Sequence, residues 1–141
     1  MAQLKVDIVS AEGYIHHGEA AMVFAPAEMG EVGIAPRHAP LLTRMKPGML
    51  RVQTPTGEEL KFFVGGGILE VQPHLVTVLA DTALRAKDAD EAAARQAKEQ
   101  AEARLAGAKT ETDLKQAQQE LIEAAARLKF VEEIKNATRG G

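Results

Sequence analysis

The 141-residue sequence has no cysteine, no tryptophan, one tyrosine and a single serine, Ser10. Without cysteine there can be no disulfide, thiolate nucleophile or thiolate metal site, which suits a reducing compartment. The near absence of large aromatics removes the material of a base- or sugar-stacking surface. Ser10 stands in no G-x-S-x-G elbow, so serine-hydrolase chemistry has no nucleophile. No window approaches the roughly 18 uncharged apolar residues of a membrane span. The opening MAQLKVDIVSAEG lacks the charged-then-apolar plan of a secretion signal. The 17 basic residues are outnumbered by 20 acidic ones and form no run, so a nucleic-acid footprint is excluded. The expectation is a soluble cytosolic protein, free to sit beside a membrane.

Proline and glycine, by contrast, are present but unevenly spread. All six prolines (26, 36, 40, 47, 55 and 73) precede residue 86, as do nine of the twelve glycines. Beyond it the text turns to alanine, glutamate, glutamine, lysine and leucine, the strong helix formers. Two structural units are expected, residues 1–86 and 87–141, in an α+β chain.

The first unit reads as short strands. Leu4, Val6 and Ile8 share one face of QLKVDIV, and EAAMVFAP gives another strand before Pro26. GMLRVQT and EELKFFV flank a turn at Pro55-Thr56-Gly57, and ILEVQ and LVTVLA flank Pro73-His74. Strands this short and closely punctuated predict a sandwich or barrel. The second unit reads as two helices joined by GAKTET. Asp88 with Glu91 resembles a capping box for the first helix, and Gly107 stops it. Thr110 or Thr112 caps the second. The expected stripes are Ala89, Ala93, Ala97, Ala101 and Leu105, against Leu114, Ala117, Leu121, Ala124, Leu128 and Val131. The pair makes an antiparallel hairpin. Each alanine in that seam forgoes about 2 kcal/mol of burial relative to leucine, so the hairpin should be held weakly. The tail after Ile134 loses the stripe, and the pattern leaves its order open.

No catalytic constellation assembles. His16 and His17 are neighbours, so on a strand they face opposite ways and cannot share an ion. His74 falls in a turn, neither HExxH nor His-x-His occurs, and no metal or other cofactor is expected. Gly65-Gly66-Gly67 is followed by another strand, where a phosphate loop needs a helix or a Lys-Ser/Thr pair. A tight turn or a bulge between two strands is predicted instead. In GIAPRHAPLL, residues 33–42, Pro36 and Pro40 stiffen a non-helical loop with Arg37, His38 and Ala39 at its tip. A preordered loop loses little entropy on association. A docking surface and a plain rigid connection are equally compatible with it. A small enzyme using His38 with a glutamate lacks a placed polar partner.

Residues 30–52, GEVGIAPRHAPLLTRMKPGMLRV, and 62–83, FFVGGGILEVQPHLVTVLADTA, resemble the epsilon subunits of bacterial F-type ATP synthases. KVDIVSAEG and the terminal hairpin match in order and position, so the resemblance covers essentially the whole chain and is nearest the proteobacterial form. It implies a non-catalytic central-stalk rotor subunit with a ten-stranded β-sandwich, residues 1–86, bound to the gamma subunit and the c ring. It implies a regulatory hairpin, residues 87–141, that inhibits ATP hydrolysis by extending into the alpha/beta catalytic head. The place implied is the cytoplasmic face of the bacterial inner membrane, as a peripheral part of the complex. Carried over by position, Glu31, His38 and Ala39 become c-ring contacts, and Ser10, His38 and Thr43 become gamma contacts. An ATP-binding Ile/Leu-Asp-x-x-Arg-Ala motif of some members is degenerate here. Asp90 stands, but Ala93 replaces the arginine and Ala89 the aliphatic residue. Arg127 matches an arginine of the second helix while Glu123 replaces another. A carboxylate where a phosphate-pairing cation belongs predicts weak or absent ATP binding. A nucleotide-sensing hairpin is therefore the less favoured reading.

Overall fold

The computed structural model describes residues 4–140, the last three by backbone alone. The chain divides into two compact units, Met1–Ala86 and Lys87–Gly141.

Among the described residues the first unit holds eight strands: β1 Leu4–Ser10, β2 Gly13–Ala20, β3 Met22–Ala27, β4 Gly30–Ile34, β5 Leu41–Gln53, β6 Glu59–Gln72, β7 Leu75–Ala80 and β8 Ala83–Arg85. They form one sheet in the order β2-β1-β7-β6-β5-β3-β4, with β8 also on β6. All neighbours are antiparallel except β1 and β7. The sheet folds over a single core that draws Leu4, Val6 and Ile8 from β1, Val23 and Ala25 from β3, and Val76 and Val78 from β7, all fully buried.

The ten strands implied by resemblance are eight because β5 and β6 run unbroken. Leu41 to Met45 pair with Val71 to Gly67, and Pro47 to Gln53 pair with Gly65 to Glu59, in one register. The other side of β6 behaves alike, pairing β7 through Gly67 and β8 through Val64. The turn or bulge expected at Gly65-Gly66-Gly67 is therefore neither. No residue is inserted, and the strand bends because Gly66 and Gly67 take φ of +100° and +130°. The face presented to the core changes parity across that bend. Phe62 and Val64 point inward before it, Leu69 and Val71 after it. On β5 the same switch separates Met45 from Leu50 and Val52. Two long bent strands thus serve both layers.

In the second unit, α1 spans Glu91–Ala106 and α2 spans Glu111–Gly140. The cap of α1 is Asp90, not Asp88. Asp88 is taken up in a 3-10 turn, Ala86–Asp88, whereas Asp90 is extended and its side chain accepts the Ala93 N–H at 3.2 Å. Gly107 ends the helix as expected, and Thr110 Oγ1 accepts the Asp113 N–H at 3.1 Å to cap α2. The later start moves the first stripe. Ala94 and Ala101 are buried, Ala97 and Leu105 half-buried, and Ala93 exposed. On α2, Ala117, Ala124, Leu128 and Val131 are buried as expected, Phe130 joins them, and Leu114 is exposed. Arg104–Glu120 at 2.8 Å, Arg95–Glu132 at 3.8 Å and Lys135–Glu91 at 3.6 Å fix the antiparallel register. The backbone stays helical past Ile134, where the apolar stripe has ended, to Gly140.

Candidate functional site

Strand register decides which side chains share the outer surface of the sheet. Tyr14 pairs Val9, Val9 pairs Leu79, Leu79 pairs Ile68, and Ile68 pairs Arg44. Directly paired residues have Cβ atoms about 5 Å apart, so this is one contiguous row across five strands. The row points away from the core, since Ile8, Val78 and Leu69 of the neighbouring row are buried. Tyr14 is 71% exposed, Leu79 49% and Ile68 37%. The adjoining outer row carries His17, Asp7, Thr77, Glu70 and Leu42, of which Leu42 is 69% exposed. The His17 ring meets the Asp7 carboxylate there. Beside Arg44 the Glu28 N–H bonds the Arg44 carbonyl at 2.9 Å, so the β3–β4 turn with its fully exposed Met29 extends the sheet edge. An apolar row with a polar row beside it is the make-up of a docking face rather than of a solvated sheet.

The GIAPRHAPLL loop is held from both sides. His38 N–H bonds the Ala35 carbonyl at 3.2 Å, closing a turn with Arg37 at φ +68°. Arg37 N–H bonds the Pro73 carbonyl at 2.9 Å, tying this turn to the one between β6 and β7. The His38 ring donates Nδ1–H to the Ala39 carbonyl at 2.7 Å, which fixes its orientation. Ser10 ends β1 and accepts the Glu12 N–H at 3.2 Å. Thr43 pairs Leu69 in the inward row and is half-buried, so it lies on the opposite side of β5 from Leu42. Glu31 lies on β4 opposite Pro26, away from the apolar row, in an ion pair with Arg51. The candidate contacts therefore occupy separate regions of one sandwich.

His16 and His17 do face opposite ways. A bulge between Ile8 and Val9 sets Ile15 and His16 inward, where the His16 ring lies 5.2 Å from that of Phe62. Burial lowers the His16 pKa, helped by the charges of His17 and Arg85 and opposed by Asp7. The unfolded chain then binds a proton near the ordinary value of about 6.5 before the folded one does. This contribution is complete above that value and declines as pH falls toward the lowered folded value. Thermal melts from pH 7.5 to 5 should show the decline, and His16→Leu should flatten it. An unchanged slope in His16→Leu would refute the assignment.

In the hairpin, Asp90 is committed to its cap. Arg127 lines a shallow cleft of about 210 Å³ with Gln100, Arg104, Glu120 and Glu123, and its Nε has no hydrogen-bond partner. The antiparallel register sets Arg127 opposite the middle of α1, about 13 Å along the axis from Asp90. The two residues of the degenerate nucleotide motif are not brought together. Among the described residues, no group of three or more His, Cys, Asp or Glu could hold a metal ion. No helix there is long and apolar enough to cross a membrane.

The residues that sequence reading missed are Tyr14, Leu42, Ile68 and Leu79. For the last three the signal was consecutive apolar residues in strands otherwise alternating: Leu41-Leu42, Ile68-Leu69 and Val78-Leu79-Ala80. Such runs mean that both faces of a strand are meant to be covered.

Comparison with known proteins bears on both units of the fold. Residues 3–86 match the model of the ATP synthase delta/epsilon chain beta-sandwich domain, and residues 82–132 that of its long alpha-helix domain. The ATP synthase epsilon chain of Alkalilimnicola ehrlichii is 57% identical over 139 residues, 99% of each chain. That of Nitrosococcus oceani is 59% identical over 132 residues, 94% of each. A chain of the Euglena gracilis mitochondrial ATP synthase OSCP/F1/c-ring structure shares the fold with a TM-score of 0.76 at 20% identity. The match covers 89% of this chain and 79% of that one. With both units matched and relatives alike over nearly their whole length, the chain belongs to the delta/epsilon chain family of ATP synthases.

Proposed function

We propose that this chain is the non-catalytic epsilon subunit in the central rotor of a proton-translocating ATP synthase. The observation that carries the reading is the outward cross-strand row of Tyr14, the half-buried Val9, Leu79 and Ile68, whose exposed apolar members need a partner to cover them. The gamma subunit is that partner, with Leu42 and the pinned His38 at one margin and Ser10 at another. Glu31 and the His38-Ala39 segment meet the ring of c subunits. The complex holds the chain peripherally at the cytoplasmic face of the bacterial inner membrane.

The hairpin regulates. Its seam is alanine on α1, Ala94 and Ala101, set against Ala117, Ala124, Leu128 and Val131 of α2, so α1 brings little apolar surface to the contact. An element held this lightly can exchange partners, and we assign it the inhibition of ATP hydrolysis at the alpha/beta head. The test is ATP hydrolysis by a catalytic head stripped of its epsilon chain, with either the full chain or one ending at Ala86 added back. Both should bind gamma, because the sandwich has its own core. Only the full chain should slow hydrolysis. Equal rates would remove the inhibitory role from the hairpin, and failure of both to bind would overturn the rotor reading.

A further inference from the structure

Glu31 does not stand alone on its sheet. Arg51 of β5 donates Nη2–H to Glu31 Oε1 at 3.1 Å, while its Nη1 lies 3.5 Å from Glu59 Oε2. The same guanidinium lies over the Phe24 ring, 4.3 Å from its centroid. Strand pairing explains the convergence. Phe24 faces Gly33 on one side and Arg51 on the other, and Glu31 is two residues along β4 from Gly33. The ring lies close over Gly33, where an added Cβ would come within 3.3 Å of it, and the guanidinium lies over the ring. Lys61 follows in the row and reaches Glu59 at 3.9 Å.

We propose that Arg51 is the positioning residue of Glu31: stacked on Phe24 and braced by Glu59, it holds the Glu31 carboxylate ready for a donor on the c ring. The proposal rests on the reading of Glu31 as a ring contact. A flexible glutamate would lose side-chain entropy on binding, and a pre-set one has less to lose. The Glu31 side chain remains 54% exposed, so a cationic or amide donor of the partner can approach it while Arg51 keeps its other contacts. Two forked donors and a stacking face are needed at once, which lysine cannot supply.

The experiment measures binding of the full-length chain to an isolated rotor of gamma and c ring lacking its own epsilon chain, with gamma alone as control. Glu31→Gln should weaken rotor binding about two- to fivefold. Arg51→Met should weaken it to a similar degree, and Arg51→Lys should resemble Arg51→Met. Adding Arg51→Met to Glu31→Gln should change nothing more. None of the variants should alter binding to gamma alone, and melting curves check that each folds. Wild-type binding by Arg51→Met, or an equal further loss in the Glu31→Gln background, would overturn the proposal and leave the Glu31 contact standing. Wild-type behaviour of Arg51→Lys would reduce the effect to net charge and overturn it too. Wild-type binding by Glu31→Gln would overturn the ring contact itself, and the proposal with it.

Discussion

Replacing Gly67 by alanine is expected to unfold the sandwich or bring it close to unfolding. A Cβ at that position would lie 2.1 Å from the Leu79 carbonyl oxygen and 2.9 Å from the Ala80 Cα. Both obstacles are backbone of the paired strand, so no side chain can swing aside. The residue also sits at φ +130°, a conformation side chains rarely adopt and worth about 1–3 kcal/mol by itself. Relief requires β6 and β7 to separate where the strand passes between layers. A cost above about 4 kcal/mol is expected, against a total stability of roughly 5–15 kcal/mol for a domain. Gly57 is the control. Its φ is +90° but nothing lies within 4 Å of the added carbon, so Gly57→Ala should cost only the backbone strain. Urea titration of the three proteins followed by circular dichroism decides the matter. A Gly67→Ala midpoint no lower than that of Gly57→Ala would mean that the bend does not depend on glycine.

The same bend marks the limit of what could be read in the residue order. Strands that keep one parity, such as Leu4-Val6-Ile8 on β1, were legible because alternation states directly which side is buried. β6 was not legible as one strand, since its inward residues switch from Phe62 and Val64 to Leu69 and Val71. A parity switch looks like two strands and a turn unless the partner strand is known to switch at the same level. Its neighbour β5 does so around Pro47-Gly48. β2 escaped for a related reason, because its bulge places Ile15 and His16 both inward and blurs the period. The helices were legible in number, while α2 runs on past the end of its apolar stripe and the stripe of α1 was misplaced from Ala93 to Ala94 once its start moved from Asp88 to Asp90. Of the candidate site, Glu31, Thr43 and Ser10 came from resemblance alone, while His38 and Ala39 also stood out at the tip of the loop that Pro36 and Pro40 stiffen. Apolar neighbours such as Ile68-Leu69 mark single exposed residues, but the docking row joins β1 and β2 to β6 and β7 through the β1–β7 register, and no local pattern contains that.

Aspartates placed together at Ile68 and Leu79 are expected to abolish most gamma binding without harming the fold. These two side chains are direct cross-strand partners at the centre of the apolar row, with Val9 and Tyr14 beyond Leu79 and Arg44 beyond Ile68. In the free chain both side chains reach water, so carboxylates there need no burial, and the melting temperature should fall only slightly. Against a partner, the change removes two apolar anchors and buries two like charges side by side. Central anchors of an interface typically carry about 2 kcal/mol or more each, so the double variant should bind gamma at least about a hundredfold more weakly. The adjoining polar row supplies the contrast. Glu70→Ala and Thr77→Ala alter neighbours that pair in the same register but present no apolar surface, and their effect should stay within a few fold. Titration of gamma with each variant, read by calorimetry, separates the possibilities. Loss confined to the Ile68 and Leu79 pair locates the rotor contact on this row. Near-normal binding by that pair, with losses at Glu70 or Thr77, would move the contact to the polar row and leave the apolar one to another partner.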